Sequence, residues 1–491
     1  MRKFTRTMKL AGAASLSLAL TACATTPIPG QTEAITQSEA QLGAKYHPQL
    51  VAEFGGEMSG PLAQYVEQVG KNVAVNSGMG GARDSFTVSL LNSPVNNAFA
   101  VPGGYIYTTR QLVALMESEA ELAGVLAHEV AHVTARHAER RQRRATRNQG
   151  IGVLGAILSG VLLGDSQLGN LITRGALTAP QYLNLAYSRE HEEESDQLGI
   201  DYMSRAGYNP RAMGDLLARM AQQNELEARL QGRQSARPPV WASSHPEPTA
   251  RVRLAHAYAE GKPGSVNNRD AFLNRIDGML YGDDPKQGVV EGRDFIHPDL
   301  RLKFSAPDGF YMLNGTRAVA INGQGGQAQF TTARYGGDLN QYIRQAFAAL
   351  GGQNNQLAPS RIERTRVNGL SAAYGQARVN NGRSQVDVTV FAYEFARDRA
   401  YHFMTITPAG RANPFGGMFQ SIRRISASEA GQVIPRRLRV VTVQRGDTIS
   451  GLARQMAYDK GREERFRVLN GLGSSDVLRA GQRVKLIVRA R

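Results

Sequence analysis

Residues 123–139 read AGVLAHEVAHVTARHAE, and they constrain the chain more than any other stretch. His128-Glu129-Val130-Ala131-His132 is an H-E-x-x-H pattern. Histidines four apart lie on one face of a helix, so both rings can reach one ion. Helix formers surround them, and the spacing predicts a metal-bearing helix. The longer segment EAELAGVLAHEVAHVTARHAERRQRRATR reads as one continuous helix, apolar early and basic late. Its closing arginines suit a solvated helix end near the negative pole of the dipole.

Two histidines do not complete a site. A catalytic zinc takes three protein ligands and leaves the fourth position to water. His137 lies nine residues after His128. On a continued helix nine residues rotate about 180° away. The H-E-x-x-H-x-x-G-x-x-H pattern also needs a glycine and a spacing that are missing here. His137 is therefore expected to be a structural or surface histidine. The stretch YSREHEEESDQLGIDYM (187–203) offers Glu190, His191, Glu192, Glu193, Glu194 and Asp196. Glu192 and Asp196 share a helix face at i,i+4. One carboxylate can bind the metal while the other orients a histidine through its free N–H. Spacing leaves open which does which.

The chain has 491 residues, enough for about two to four domains. Its net charge of +16 predicts attraction to anionic polymers or surfaces without saying which. The N-terminus narrows the choice. MRKFTRTMK is a cationic segment, and LAGAASLSLAL is an apolar run too short to stay in a bilayer as a spanning helix. LTAC then ends at Cys23, the only cysteine. This arrangement resembles a bacterial lipoprotein lipobox. The resemblance implies removal of residues 1–22 and lipidation of Cys23. Ala24, where an Asp would favour inner-membrane retention, points to the outer membrane. One cysteine forms no disulfide frame. An exported chain has no direct use for nucleic acid, so no nucleic-acid partner is expected.

The fold class expected is α+β. Residues 23–40 read as a tether and 41–262 as a mainly helical domain with a small early sheet from SFTVSLLNS and NAFAVPGGYIYTTR. IGVLGAILSGVLLG (151–164) is read as a buried helix or a flap near the site. Residues 263–293 are expected as a linker. Residues 294–426 alternate like strands around the helical LNQYIRQAFAALG, an α+β domain without a catalytic constellation. A second linker, 427–437, leads to a strand-helix-helix-strand module at 438–488.

Four motifs occur in order: NAFAVPGGYIYTTRQL, ELAGVLAHEVAHVTARH, YSREHEEESD and SSHPEPTARV. Together they resemble the M48 family of zinc metallopeptidases, in its periplasmic lipoprotein branch. The resemblance implies a zincin-like fold, one Zn2+ ion and polypeptide substrates. It implies His128, His132 and Glu192 as ligands, with Ser195 standing where the family usually has Ala. It leaves Asp196 a role behind the ligands. Glu129 would then be the base that activates water and returns a proton to the leaving amine. His245 and Arg251 match an H-P-x-x-x-x-R element, and one of them is expected near the metal as a catalytic group. His245 would either stabilise the oxyanion or fill the fourth metal position in a self-blocked state. Asn97, Ala98, Phe99 and Ala100 are expected to line the cleft as a strand that pairs with extended peptide.

The C-terminal module resembles a LysM domain, through Gly446-Asp447-Thr448, Leu469-Asn470-Gly471 and Ala480-Gly481-Gln482. That resemblance implies binding of peptidoglycan, with glycan contacts near Gly446, Asp447, Thr448, Ile449, Leu469, Asn470, Gly471 and Leu472. The reading is a zinc metalloendopeptidase on the periplasmic face of the outer membrane. The competing reading is a self-blocked, chaperone-like binding protein.

Overall fold

A computed structural model describes residues 34–79, 81–141, 187–230, 245, 248–351, 357–380 and 385–491. The segment expected as a leader, Cys23 and the apolar stretch 151–164 lie outside the described residues. Among the described residues no helix is long and apolar enough to cross a membrane.

Three helices, α1 (Gln37–Glu53), α2 (Pro61–Val75) and α3 (Ala82–Ser85), lead into a small sheet. Its strands are β1 (Thr87–Leu91), β2 (Ala98–Val101) and β3 (Tyr105–Thr109), in the order β1-β3-β2. The β2–β3 turn uses Gly103 and Gly104 at φ +92° and +79°. A Cβ on Gly104 would sit 2.3 Å from the Ser85 carbonyl, so only glycine fits there. Helices α4 (Arg110–Leu115), α5 (Glu119–Thr134), α6 (Arg189–Arg205), α7 (Ala212–Leu230), α8 (Pro248–Ala259) and α9 (Arg269–Ile276) follow.

Helix α5 starts where Ser118 accepts a hydrogen bond from Glu121 N, with Glu119 and Glu121 in its first turn. It does not run on as one segment. It ends at Thr134, and Arg136 adopts φ +51° before helical backbone resumes at His137. The arginine holds this left-handed conformation with bonds to Glu39 Oε1 (3.3 Å) and Ala34 O (3.1 Å). Helix formers predict continuity, but these tertiary bonds to the α1 segment offset the left-handed cost of ~1–2 kcal/mol.

The stretch expected as a linker at 263–293 is folded. Helix α9 places Phe272, Leu273 and Ile276 in the core built by α2, α5 and α7. Arg110, fully buried, donates to the carbonyls of Leu280 (3.1 Å) and Gly282 (2.6 Å). Strand β4 (Leu280–Tyr281) and β5 (Val289–Glu291) follow. The middle region holds β6 (Asp294–His297), β7 (Leu302–Ser305), β8 (Tyr311–Asn314), β9 (Ala318–Gly323), β10 (Gly326–Thr332), α10 (Leu339–Gly351), β11 (Arg361–Val367), β12 (Leu370–Asn380), β13 (Gln385–Ala396) and β14 (Arg399–Pro408). Its seven-stranded antiparallel sheet runs β11-β12-β13-β14-β10-β9-β8. One face packs on α10 through Tyr342, Ile343 and Phe347. The other carries Phe330, Phe391 and Phe403 against α11 (Gly416–Ser421) and the sheet that pairs β5, β6, β7 and β15 (Arg423–Arg424). The expected second linker contains a capped helical turn, α12 (Ala427–Gly431).

The last region is strand-helix-helix-strand: β16 (Arg436–Thr442), α13 (Ile449–Ala453), α14 (Arg462–Leu469) and β17 (Arg483–Arg489). It does not stand apart. β4 pairs with β16, and Leu438, Phe466, Leu486 and Ile487 share one core cluster with α2, α5 and α7. Lys485 is fully buried at the joint. Its ammonium donates to the carbonyls of Ala114 (3.0 Å), Leu115 (3.2 Å) and Met116 (2.6 Å), and lies 2.9 Å from Glu117 Oε1. The free carbonyls at the end of α4 are thus capped by a residue 370 positions later in the chain. Breaking a buried pair costs about 3 kcal/mol or more. Lys485→Ala is therefore expected to lower the thermal transition of the α2–α5–α7 core and the C-terminal module together, as read by calorimetry; a loss confined to the module would contradict this docking.

Candidate metal centre

Helices α5, α6 and α8 meet at the site. The close approach of α5 and α6 needs Gly199, where a Cβ would lie 3.0 Å from His128 N. Ser188 caps α6 by accepting from His191 N, which fixes the first turn that carries Glu192. His128, His132, Glu192 and His245 converge, with one donor atom from each within 4.8 Å of the others, all buried. Glu192 is the carboxylate that faces the two histidines, at 3.5 Å from each Nε2. Asp196 stands behind them and accepts from His128 Nδ1 at 2.9 Å.

The donor set suits zinc, which takes imidazole nitrogen and carboxylate oxygen. The His128 and His132 Nε2 atoms face each other at 3.0 Å. Their Nδ1 atoms are engaged with Asp196 and His137. Two neutral rings so held turn lone pairs toward one another, an arrangement that a cation between them would stabilise. Burial opposes charge on His128, but hydrogen bonds to Asp196 and Glu192 prevail and push it up to about 9. Burial holds His132 well below the ordinary histidine value.

Arg251 makes this concentration of acids possible. Its Nε and Nη2 donate to the two Asp196 oxygens at 2.8 and 2.7 Å, and Nη1 donates to Glu192 Oε2 at 2.5 Å. Burial pushes both carboxyls up; for Glu192 the charges of His245 and Arg251 overcome it, and for Asp196 the charge of Arg251 does, so both are held low. Of the two residues expected near the metal, Arg251 aims its guanidinium at Glu192 and Asp196. His245 does reach the metal donors. Its Nδ1 is 3.3 Å from His128 Nε2 and 3.0 Å from both Glu192 oxygens, and its Nε2 is 3.6 Å from Glu129 Oε1.

Glu129 is 1% exposed, and neither carboxylate oxygen has a hydrogen-bond partner among the described residues. An apolar recess lined by Met213, Leu216, Leu217 and Met220 borders it. Burial raises its proton affinity. Strand β2 is the edge of its sheet, and no described strand pairs with its outer side. Asn97, Ala98 and Phe99 are buried, Ala98 and Phe99 in the cores on opposite faces of the sheet, so the backbone of β2 is what it can offer a peptide.

In the C-terminal module the expected glycan residues divide. Gly446, Thr448 and Gly471 are exposed, and Asp447 and Leu472 are half-buried. Ile449, Leu469 and Asn470 are buried, so their side chains serve the interior of the module. Ile449 and Leu469 belong to the core. Asn470 donates to Phe466 O and Lys485 O and accepts from Lys485 N, pinning α14 to β17.

The sequence reading missed two neighbours of His132. The Tyr187 ring stacks on it, with centroids 3.9 Å apart. His137 is not rotated away: it is fully buried, with its Nδ1 2.9 Å from His132 Nδ1. The break at Arg136 turns it back. The Tyr187 signal was present in its place directly before the α6 cap. That of His137 was not, because helix propensity hid the break.

Fold and site together define a zincin-type metal centre: an H-E-x-x-H helix beside a small sheet, completed by an acid from a following helix. Residues 62–259 match the model for peptidase family M48, and residues 441–486 match the LysM domain. The chain thus carries an M48 peptidase domain and a LysM domain. It is 32% identical over 262 residues to the beta-barrel assembly-enhancing protease of Yersinia pestis, covering 52% of this chain and 51% of that one. It is 31% identical to the Escherichia coli (strain K12) protein of the same name, over 50% of this chain and 48% of that one. It is 27% identical to the mitochondrial metalloendopeptidase OMA1 of Schizosaccharomyces pombe, over 44% of this chain and 59% of that one. The match to the bacterial relatives spans about half their length.

A proton on His128 competes with the metal. The apparent zinc affinity is expected to tighten about tenfold per pH unit between pH 7 and 9 and to level off above, when titrated against a chelator. An affinity independent of pH in that window would refute the raised His128 value.

Proposed function

We propose that the chain is a zinc metalloendopeptidase of the bacterial cell envelope. On this reading it is lipid-anchored at Cys23 on the periplasmic face of the outer membrane and held to peptidoglycan by its LysM domain. Its substrates would be misfolded or misassembled envelope proteins, a reading supported by the name of the Yersinia and Escherichia relatives. The observation that carries the proposal is Glu129: a buried carboxylate whose oxygens accept no hydrogen bond among the described residues, with His245 Nε2 3.6 Å away, beside a His-His-Glu donor set.

Zinc held by His128, His132 and Glu192 would supply Lewis acidity at the scissile carbonyl and lower the pKa of water. The chain's own residues do the rest. The β2 edge offers backbone hydrogen bonds to an extended peptide. Glu129 accepts the proton of the attacking water and delivers it to the leaving amine, a transfer that its desolvated carboxylate favours. Asp196 and Arg251 keep the His128 ring and the Glu192 carboxylate in place. Glu129→Gln is expected to lower cleavage of an unfolded protein by about 10²–10⁴-fold while leaving zinc content unchanged. Full cleavage by that variant would defeat the peptidase reading.

His245 supports a second reading, that of a self-blocked protein acting chiefly as a chaperone-like binder. Its Nδ1 stands beside Glu192 and His128, where a substrate carbonyl would need to enter. His245→Ala is expected to increase cleavage several-fold if this ring closes the resting site. A fall in cleavage with zinc retained would instead assign His245 to oxyanion stabilisation.

A further inference from the structure

We propose that His137 is a positioning residue for the metal centre: it fixes the ring and tautomer of His132 through an imidazole-to-imidazole hydrogen bond. The inference rests on the metal reading of the site and is independent of peptidase activity.

Proton placement along the chain of bonds has one solution. His132 turns Nε2 toward His128 and Glu192, so its hydrogen must sit on Nδ1 to leave a lone pair for a metal. That Nδ1–H points at His137 Nδ1, 2.9 Å away. His137 Nδ1 must then accept, which puts the His137 hydrogen on Nε2. Glu194 Oε2 lies 3.2 Å from that Nε2 and accepts it. Arg140 Nη1 holds the same oxygen at 2.7 Å, fixing the far end. Ser195 Oγ lies 3.2 Å from His137 Nδ1. The ring itself is locked: it is fully buried and stacks on His191 with centroids 4.4 Å apart at 19°.

The two metal-facing histidines are thus held by different means. His128 leans on a carboxylate, Asp196, whereas His132 leans on a neutral ring. The difference has a physical reason. Glu129, Glu192 and Asp196 already bring three carboxyls into one buried cluster, and a further anion touching His132 would add repulsion at low dielectric. Moving the anion one ring outward, to the half-buried Glu194, keeps the acceptor without the charge. Only the left-handed turn at Arg136 permits this, since on a continued helix His137 would face away.

The test uses the full chain and zinc competition against a chromophoric chelator. His137→Ala is expected to weaken zinc binding 10–100-fold. His137→Asn, whose Oδ1 can accept near the Nδ1 position, is expected to stay within about threefold of wild type. The visible bands of the cobalt-substituted protein should shift in the first variant and persist in the second. Unchanged zinc affinity in His137→Ala would overturn the proposal. So would equal weakening in His137→Asn, which would assign the effect to packing. If His137→Ala does not fold, His137→Leu against His137→Asn makes the same comparison at constant size. A wild-type chain that binds no zinc would overturn the metal reading and this inference with it, whereas a chain that binds zinc but cleaves nothing would leave this inference standing.

Discussion

The clasp of Arg251 on Glu192 and Asp196 is the interaction on which the centre depends. Burying two acids beside two histidines and a third acid is unfavourable unless a fixed positive charge compensates. The guanidinium is planar and always charged, and it meets Asp196 through two parallel hydrogen bonds while a third reaches Glu192. This locks α8 to α6. Asp196 then fixes His128 and so locks α6 to α5. The order of forces runs from the outside in: the clasp holds the acids, the acids hold the rings, and the rings converge on one point.

The same logic recurs at the other end of α5. Glu117 and Glu121 flank the Ser118 cap, Lys485 and Arg269 approach Glu117, and Arg219 pairs with Glu121. Burial pulls the Lys485 ammonium down to about 8, against the pull of Glu117. A cation from the last strand therefore completes the base of the metal-bearing helix. The C-terminal module is part of the scaffold on this face, and its buried Asn470 serves that scaffold. Its exposed residues, Gly446 and Thr448 among them, remain available to a ligand.

Much of this was legible in the residues. The H-E-x-x-H spacing identified the ligand helix because i,i+4 geometry is local. Strand alternation located β13 and helical spacing located α10, because each buries one face. Less was legible at 361–380, where RIERTRV and LSAAYGQARV form β11 and β12 without a strong apolar alternation. Their pairing with β13 stabilises them, and pairing is a long-range property. The stretch 263–293 looked like a linker for a related reason: its polar residues make their bonds to distant partners, as Asp284 does with Asn92.

By itself the sequence determined the two histidines, the acid between them and the two acids on one face of a later helix. Those depend on spacing along a single helix, which a chain carries wherever it folds. Tertiary structure decided which acid faces the metal position, since only the packing of α5 on α6 distinguishes Glu192 from Asp196. It decided that Arg251 serves the acids and that His245 enters the cluster. It also brought His137 back to His132, because a left-handed residue held by contacts to the α1 segment overrides the helix that its neighbours favour.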